Sequence, residues 1–393
     1  MAGHFARGGA PGMIRKALFW LHLGSGVITG LVVAMMSLTG VLLTYELQLI
    51  AWADRAFYAA PAPDANRIPL DSVLAAAEAD GVTGKQLTVY NDPAAPVLVS
   101  AGRREPSVFV NAYSGEVLGE PSPGIRSVMS SLMYWHRWFN ATGDARQSAR
   151  LVTGVSNLAF LFMILTGIYL WLPKVLSWSL LKTRLLFRRA YDSAKERDFY
   201  WHHVFGIWSA IPLIVVVATA SVFSFRWASD LVYIAAGEEP PQRGRGSPAE
   251  EVRTVPADSR RSLDAMLDMA AAHSDEWRTV RLTVPALNAA EVEFEVDRGN
   301  GRQPQLRDTV VVDAVTGRIA AVRGLSDRTP GSQARVWIRF LHTGEVFGVV
   351  GQTIAGVVSL TSLFMVWTGF ALAWRRLITP LFRRRREASK APA

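Results

Sequence analysis

Seven histidines occur in the 393 residues, and four of them recur in matched surroundings. His22 and His202 stand in Phe19-x-x-His22-x-x-x-Gly26 and Phe199-x-x-His202-x-x-x-Gly206. His136 and His342 each stand just ahead of a long apolar stretch. Imidazole is a base, a proton shuttle and the commonest nitrogen ligand for a metal. An ionisable residue within an apolar helix is costly, so a functional role is the first hypothesis and a packing role the second. His203 breaks the His-x-x-x-Gly spacing and reads as a neighbour rather than a ligand, while His4 and His273 read as surface residues. There is no cysteine, which removes disulfides, thiolate zinc sites, iron–sulfur clusters and covalent haem attachment.

The elements that must hold these histidines come from a duplication. A shift of 202 lays Gly154 on Gly356, Leu161-Phe162-Met163 on Leu363-Phe364-Met365, and Thr166-Gly167 on Thr368-Gly369. The same shift carries Val108, Val110, Asn111, Ala112 and Gly115 onto Val310, Val312, Asp313, Ala314 and Gly317. His136 meets His342 once four extra residues in the first copy are allowed. A shift of 180 lays Phe19, His22, Gly26 and Thr39 on Phe199, His202, Gly206 and Thr219. Such repeats decide the architecture.

Val346–Trp374 holds no Asp, Glu, Lys or Arg and ends at Arg375-Arg376; about 20 helical residues are enough to cross a bilayer. Ala17–Tyr45, Leu151–Pro173 and Phe199–Phe225 are comparable runs. Half of the chain is hydrophobic, which points to membrane insertion rather than one large soluble core. The net charge of +9 invites a nucleic-acid partner, but its distribution argues against one. Residues 1–16, 174–198 and 375–393 hold 17 of the 42 Lys and Arg and only 4 of the 33 Asp and Glu, the positive-inside pattern of cytoplasmic loops. The first apolar run is too long for a signal peptide and lacks a small-residue cleavage site, so it is read as a retained span.

The expected fold is therefore a four-helix transmembrane bundle of two parallel repeats, related by an axis along the membrane normal, with a small α+β domain outside each half. The first span occupies 14–52, the first outer domain 53–125, and an aromatic interfacial segment with the second span 126–173. A basic cytoplasmic loop follows at 174–198 and the third span at 199–227. The second outer domain covers 228–333 with a flexible linker at 237–258, the interfacial segment and fourth span cover 334–376, and 377–393 is a basic cytoplasmic tail. Leu70-Asp71 and Leu263-Asp264 open short helices. Strands are predicted at 86–90, 97–100, 108–112, 116–118, about 278–284, 291–296 and 309–314 from their alternation.

In this frame His22 and His202 lie near the cytoplasmic ends of spans one and three, and His136 and His342 at the outer mouths of spans two and four. A two-fold axis brings each pair face to face, the arrangement that bis-histidine ligation of a haem requires. Two histidines per level are too few for zinc, which takes three or four protein ligands. Gly26 and Gly206, one turn from His22 and His202, would admit a porphyrin to the helix backbone, with small-xxx-small packing as the alternative. For the Thr-Gly pairs at 39–40, 166–167 and 368–369, packing is the better reading. Haem propionates need cations: Arg137, Arg150, Arg335 and Arg339 are available outside, and Arg15, Lys16 and Arg197 inside. Arg137 and Arg339 are the cofactor-binding candidates among them.

His22-x-x-x-Gly26, Leu341-His342-Thr343-Gly344-Glu345, Thr-Gly followed by Trp171 or Trp374, and the turn Asn111-Ala112-Tyr113-Ser114-Gly115 together resemble the PepSY-associated transmembrane family, which includes bacterial inner-membrane ferrisiderophore reductases. The resemblance covers nearly the whole chain. It implies four spans, PepSY-like periplasmic domains and two non-covalent b-type haems ligated by His22, His136, His202 and His342, while the basic flanks already place both termini in the cytoplasm. It further implies an oxidoreductase passing electrons outward to an iron(III)-siderophore. Ala220 replaces the glycine of Thr-Gly in the third span, a departure expected to touch packing and not ligation.

No Gly-x-Gly-x-x-Gly follows a strand, so the electron donor is expected to be a separate cytoplasmic flavin reductase or a quinol. One competing reading is a membrane-anchored PepSY protein that inhibits or senses a periplasmic partner, its histidines merely structural. Another is a siderophore transporter, against which the lack of carboxylates in the middles of the spans argues.

Overall fold

The computed structural model describes residues 10–102, 105–173, 177–242 and 253–382. His4, residues 243–252 of the expected linker and residues 383–393 of the basic tail lie outside the described residues. The helices in chain order are α1 (Ala10–Leu43), α2 (Glu46–Asp54), α3 (Leu70–Ala79), α4 (Pro123–Trp138), α5 (Ala145–Trp171), α6 (Trp178–Leu185), α7 (Ala194–Ser224), α8 (Arg226–Ala235), α9 (Leu263–Ala271), α10 (Pro330–Thr343) and α11 (Gly348–Leu377). The strands are β1 (Gln86–Tyr90), β2 (Val97–Ser100), β3 (Ser107–Val110), β4 (Val117–Gly119), β5 (Thr279–Thr283), β6 (Glu291–Asp297), β7 (Arg307–Asp313) and β8 (Ile319–Arg323). A long helix, a short helix, a helix over four strands, an amphipathic helix and a second long helix occur in that order twice.

Four helical segments are long and apolar enough to cross a membrane: Gly12–Phe57, Ala145–Trp171, Ala194–Ser224 and Glu345–Phe382. In the bundle α1 packs against α5 and α11, and α7 packs against the same two. So α1 and α7 occupy one diagonal of a square and α5 and α11 the other. Ile28, Leu31, Ile211 and Val350 project outward, as lipid-facing side chains must in a bundle whose solvent is hydrocarbon.

The eight strands form a single antiparallel sheet in the order β4-β3-β2-β1-β5-β6-β7-β8. This corrects the expectation of two separate outer domains. Strands β1 and β5 pair along their full length, from Gln86 opposite Thr283 to Tyr90 opposite Thr279. Each set of four strands alone would leave one of these edges unpaired and costly, and joining them removes both edges. Helices α3 and α9 lie against the same sheet face: Val73 and Ala77 of α3, Met266 and Ala270 of α9, and Leu87, Val99, Leu282, Phe294 and Val310 of the sheet share one buried core. Asp264 in the first turn of α9 accepts the Leu70 N–H that opens α3, at 3.1 Å, so the two helix starts are tied across the seam. Seven strands fall where alternation predicts them within about two residues, and β8 is an addition: its residues are mostly exposed, so they carry no alternation to read.

The sheet is fastened to the bundle by the β6–β7 loop. Buried Asp297 accepts from Gly299 N–H at 2.7 Å and from Arg307 Nε at 3.2 Å, which shapes the loop around Arg302. The Arg302 guanidinium then reaches Glu46 at the start of α2 and buried Glu345 between α10 and α11, both at 2.7 Å. At the opposite end of the bundle, fully buried Asp198 of α7 holds Arg375 of α11 at 2.5 Å and its neighbour Arg197 at 2.9 Å. Helix α6 and the start of α7 fall within the expected basic loop 174–198.

Candidate metal and cofactor centre

His22 on α1 and His202 on α7 face one another across the bundle diagonal, their ring centroids 6.4 Å apart and their planes at 81°. Nearer the sheet, His136 on α4 and His342 on α10 stand 6.5 Å apart at 59°. A metal–imidazole nitrogen bond of about 2.0–2.1 Å, with about 1.1 Å more to the ring centre, puts two trans imidazoles on one ion about 6.3 Å apart. Both pairs therefore have the spacing that a single ion between them demands.

The free nitrogen of each ring is fixed by a threonine. His22 Nδ1 lies 3.0 Å from Thr166 Oγ1 of α5, His202 Nδ1 3.0 Å from Thr368 Oγ1 of α11, His136 Nδ1 3.0 Å from Thr39 Oγ1 of α1, and His342 Nδ1 3.3 Å from Thr219 Oγ1 of α7. All four threonines are buried. Each hydroxyl already donates to the carbonyl four residues back in its own helix: Thr166 to Phe162 and Thr368 to Phe364 at 2.8 Å, Thr39 to Met35 at 2.8 Å, and Thr219 to Val215 at 2.7 Å. With its one proton committed, the oxygen can only accept, so Nδ1–H is the donor. His342 makes this explicit, because Nδ1 also donates to Val216 O at 2.9 Å, and a carbonyl has no proton to give. Every Nε2 is thus left as a lone pair, the state a metal ligand needs, with a partner that orients the ring.

The glycines of the Thr-Gly pairs lie beside the rings. A Cβ on Gly167 would meet His22 Cε1 at 3.4 Å, one on Gly369 would meet His202 Cε1 at 3.5 Å, and one on Gly40 would meet His136 Cε1 at 3.6 Å. The Thr-Gly pairs therefore adjoin the imidazole seats: threonine accepts from the ring, and the glycine beside it lies within ordinary contact range of the same ring. Gly26 and Gly206 line the cavity, where a Cβ would meet Met163 Sδ at 3.4 Å and Met365 Cε at 3.5 Å, both ordinary contact distances. Ala220 stands where the other three threonines are followed by glycine, and beside Thr219 the His342 ring also donates to Val216 O.

Between His22 and His202 opens a cavity of about 1150 Å³, lined also by His203, Trp171, Gly167 and Gly369. His203 ring lies 6.4 Å from that of His202, yet successive residues of one helix point about 100° apart, so the two cannot grip one ion from opposite sides. His203 Nδ1 donates to Phe199 O at 2.8 Å. Among the described residues no three of His, Cys, Asp and Glu gather at one point, so each level offers two imidazoles, a donor set that suits a flat ligand supplying four equatorial donors of its own.

The expected cations are largely engaged. Arg15 donates to the Leu170 and Leu172 carbonyls at the end of α5, and Arg150 to Phe223 and Ser224 at the end of α7, at 3.0 and 3.2 Å, as positive charge at a helix C-terminus should. Arg197 is bound to Asp198 and Arg335 to Ser229 Oγ at 3.2 Å. Arg137 stacks on Trp138 at 4.5 Å and its charge reaches both His136 and His342. Arg339 lies 5.4 Å from the centre of the Phe340 ring. His273 pairs at the protein surface with Asp308 at 3.5 Å. The threonines are the site residues that sequence reading missed, although their signal was present: Thr39 and Thr219 each stand 17 residues beyond a matched histidine.

The family model for the PepSY-associated TM region matches residues 19–376, which take in both histidine pairs and all four threonines. The chain belongs to that family. A search of curated proteins gives no match. With four helices able to span a bilayer, this PepSY-associated TM protein is a multi-pass membrane protein.

Proposed function

We propose that the chain is a two-haem oxidoreductase of the bacterial inner membrane that reduces an iron(III)-siderophore outside with electrons taken from the cytoplasmic side. The observation that carries this reading is the stacking of two matched histidine pairs, each with free Nε2 atoms and the spacing for one ion. On α1 and again on α7, 17 residues separate the inner histidine from the threonine that serves the outer one, about 25 Å of helix. The basic far end is assigned to the cytoplasm by its charge and the sheet to the periplasm, which leaves both termini inside and makes the fold two parallel repeats whose outer parts are PepSY-like.

Non-covalent haem b held by His22 and His202, and by His136 and His342, would supply a one-electron iron couple at each face of the bilayer. The protein's own part is positional. The threonines fix ring tautomer and rotation, and the apolar cluster of Ile164, Leu213, Val217 and Val358 excludes water between the levels. The ferric chelate, as substrate, gains one electron outside, and iron(II) leaves hard oxygen donors more readily than iron(III) does. The donor is a cytoplasmic flavin reductase or a membrane quinol.

The deciding experiment measures haem per chain in protein purified after haem-sufficient expression, then adds ferric siderophore to the dithionite-reduced protein under argon. Two haems per chain and re-oxidation by the chelate are expected. Colourless protein would sink the proposal and favour a membrane-anchored inhibitor or sensor of a periplasmic partner.

A further inference from the structure

The cavity between His22 and His202 is not symmetric at its cytoplasmic end. Trp171 of α5 forms part of its wall, five residues beyond Thr166 and so about 7.5 Å farther along the axis. The residue is only 8% exposed, and its buried indole Nε1 has no acceptor among the described residues. Indole N–H can only donate, and leaving such a donor buried and unmatched is costly. The shift of 202 puts Ala373 at the matching place on α11, where it lines the same cavity. One wall therefore offers a donor and the other offers room. Lys16 and Lys195 stand at this end of the cavity with no ion partner among the described residues. Of the neighbouring arginines, Arg15 and Arg184 are committed to the carbonyls that close α5 and Arg375 to Asp198, while Arg376 lies over the Phe19 and Trp20 rings.

We propose that Trp171 Nε1–H, backed by Lys16 and Lys195, receives a carboxylate of the molecule seated between His22 and His202. This rests on the two-haem reading, in which that carboxylate is a propionate arm. An unmatched donor inside the wall, with cations toward the mouth, is the arrangement that a flat ligand with an acidic edge turned to the cytoplasm would fill. The burial of Trp171, 8% exposed, favours a group carried in by the cavity's occupant over the phosphate of a lipid headgroup. Because Ala373 replaces the donor on the opposite wall, the contact also selects one of the two faces by which the ligand could enter.

The test uses the full chain in neutral-lipid nanodiscs, in a His342→Ala background so that only the inner level titrates. Apo-protein is titrated by absorbance with haem b and with haem b dimethyl ester, whose propionates are masked. Trp171→Phe should weaken haem binding about tenfold and leave the ester's affinity in place. Equal weakening of both ligands would overturn the proposal, because Trp171 would then be packing alone. Should Trp171→Phe fail to fold, Lys16→Gln with Lys195→Gln serves instead, with the same two ligands and the same two outcomes. Discrimination that disappears when anionic lipid is added would assign the site to a headgroup and also overturn it. Parent protein that binds neither ligand would instead bring down the two-haem reading, a result visible before any Trp171 variant is compared.

Discussion

The imidazoles of His22 and His202 are crossed at 81°, whereas those of His136 and His342 meet at 59°. The angle is a property of the seats, since each ring is held by a threonine on a neighbouring helix. The electron paramagnetic resonance of low-spin iron(III) between two imidazoles depends on that angle. Near-perpendicular rings give one strongly shifted low-field feature, and less crossed rings a more rhombic spectrum. The oxidised, haem-loaded protein is predicted to show two distinct signals. His202→Ala should remove the more anisotropic one and His342→Ala the other, each taking the haem content from two per chain to one. A single signal, or the loss of both from one substitution, would contradict the assignment of levels.

A second prediction concerns Thr166, which accepts from His22 Nδ1 at 3.0 Å. Valine has the same shape without the hydroxyl, so Thr166→Val leaves the ring free to rotate and to change tautomer. Removing a partner of a metal-ligating histidine costs about 10- to 100-fold in affinity. Haem titration of the inner level should show a loss of that order in Thr166→Val and near-parental affinity in Thr166→Ser. Equal behaviour of the two variants would mean that the hydroxyl does not orient the ring.

The four histidines and the spans were legible because both rest on patterns written twice, one of charge and one of spacing. The threonines recur with the same repeat, but their role was not legible, because a buried hydroxyl bonded within its own helix looks from sequence like ordinary small-residue packing. Only the fold shows that Thr39 and Thr219 turn a lone pair toward a histidine on a different helix. The joined sheet escaped for a similar reason. The alternation of Gln86–Tyr90 and Thr279–Thr283 marks each as a strand, but nothing local in either says that its edge is met by the other.

A third prediction follows from Asp264 at the seam of the sheet. Burial lifts its carboxyl above the usual 3.8, outweighing the Leu70 N–H bond that favours the carboxylate, and Asp71 and Asp268 add repulsion. A raised value means that the folded chain holds this proton to higher pH than the unfolded chain does. The group's contribution to stability is then complete below 3.8 and is lost as pH rises through the folded value. Asp264→Asn keeps an acceptor for Leu70 and removes the titration. Thermal unfolding should find the variant slightly the more stable near neutral pH, with the difference closing as pH falls through the raised folded value toward 3.8. A variant less stable at neutral pH by the same measurement would show that the carboxylate, not the acid, is the form this seam prefers.

The last prediction concerns Arg302, whose guanidinium joins Glu46 and Glu345 at 2.7 Å each. Glu345 is buried, and Thr343 Oγ1 donates to its second oxygen at 2.6 Å, three residues after His342. Next to it Gly344 turns through a positive φ of 74° and packs so closely that a Cβ would stand 2.2 Å from Gly351 O. The path from the sheet to the outer imidazole therefore runs through rigid, fully satisfied parts. Arg302→Gln leaves two neighbouring carboxylates without a cation. Removing one partner of a buried pair costs about 3–5 kcal/mol, and the arginine's 30% exposure places this case at the low end through solvent screening. The expected result is a lower thermal midpoint, weakened haem retention at the His136–His342 level and an unchanged inner-level spectrum. Arg302→Lys should recover little of this, because one ammonium cannot span both carboxylates as the guanidinium fork does. Disturbance of the inner level alone would show that the sheet acts on the bundle by another route.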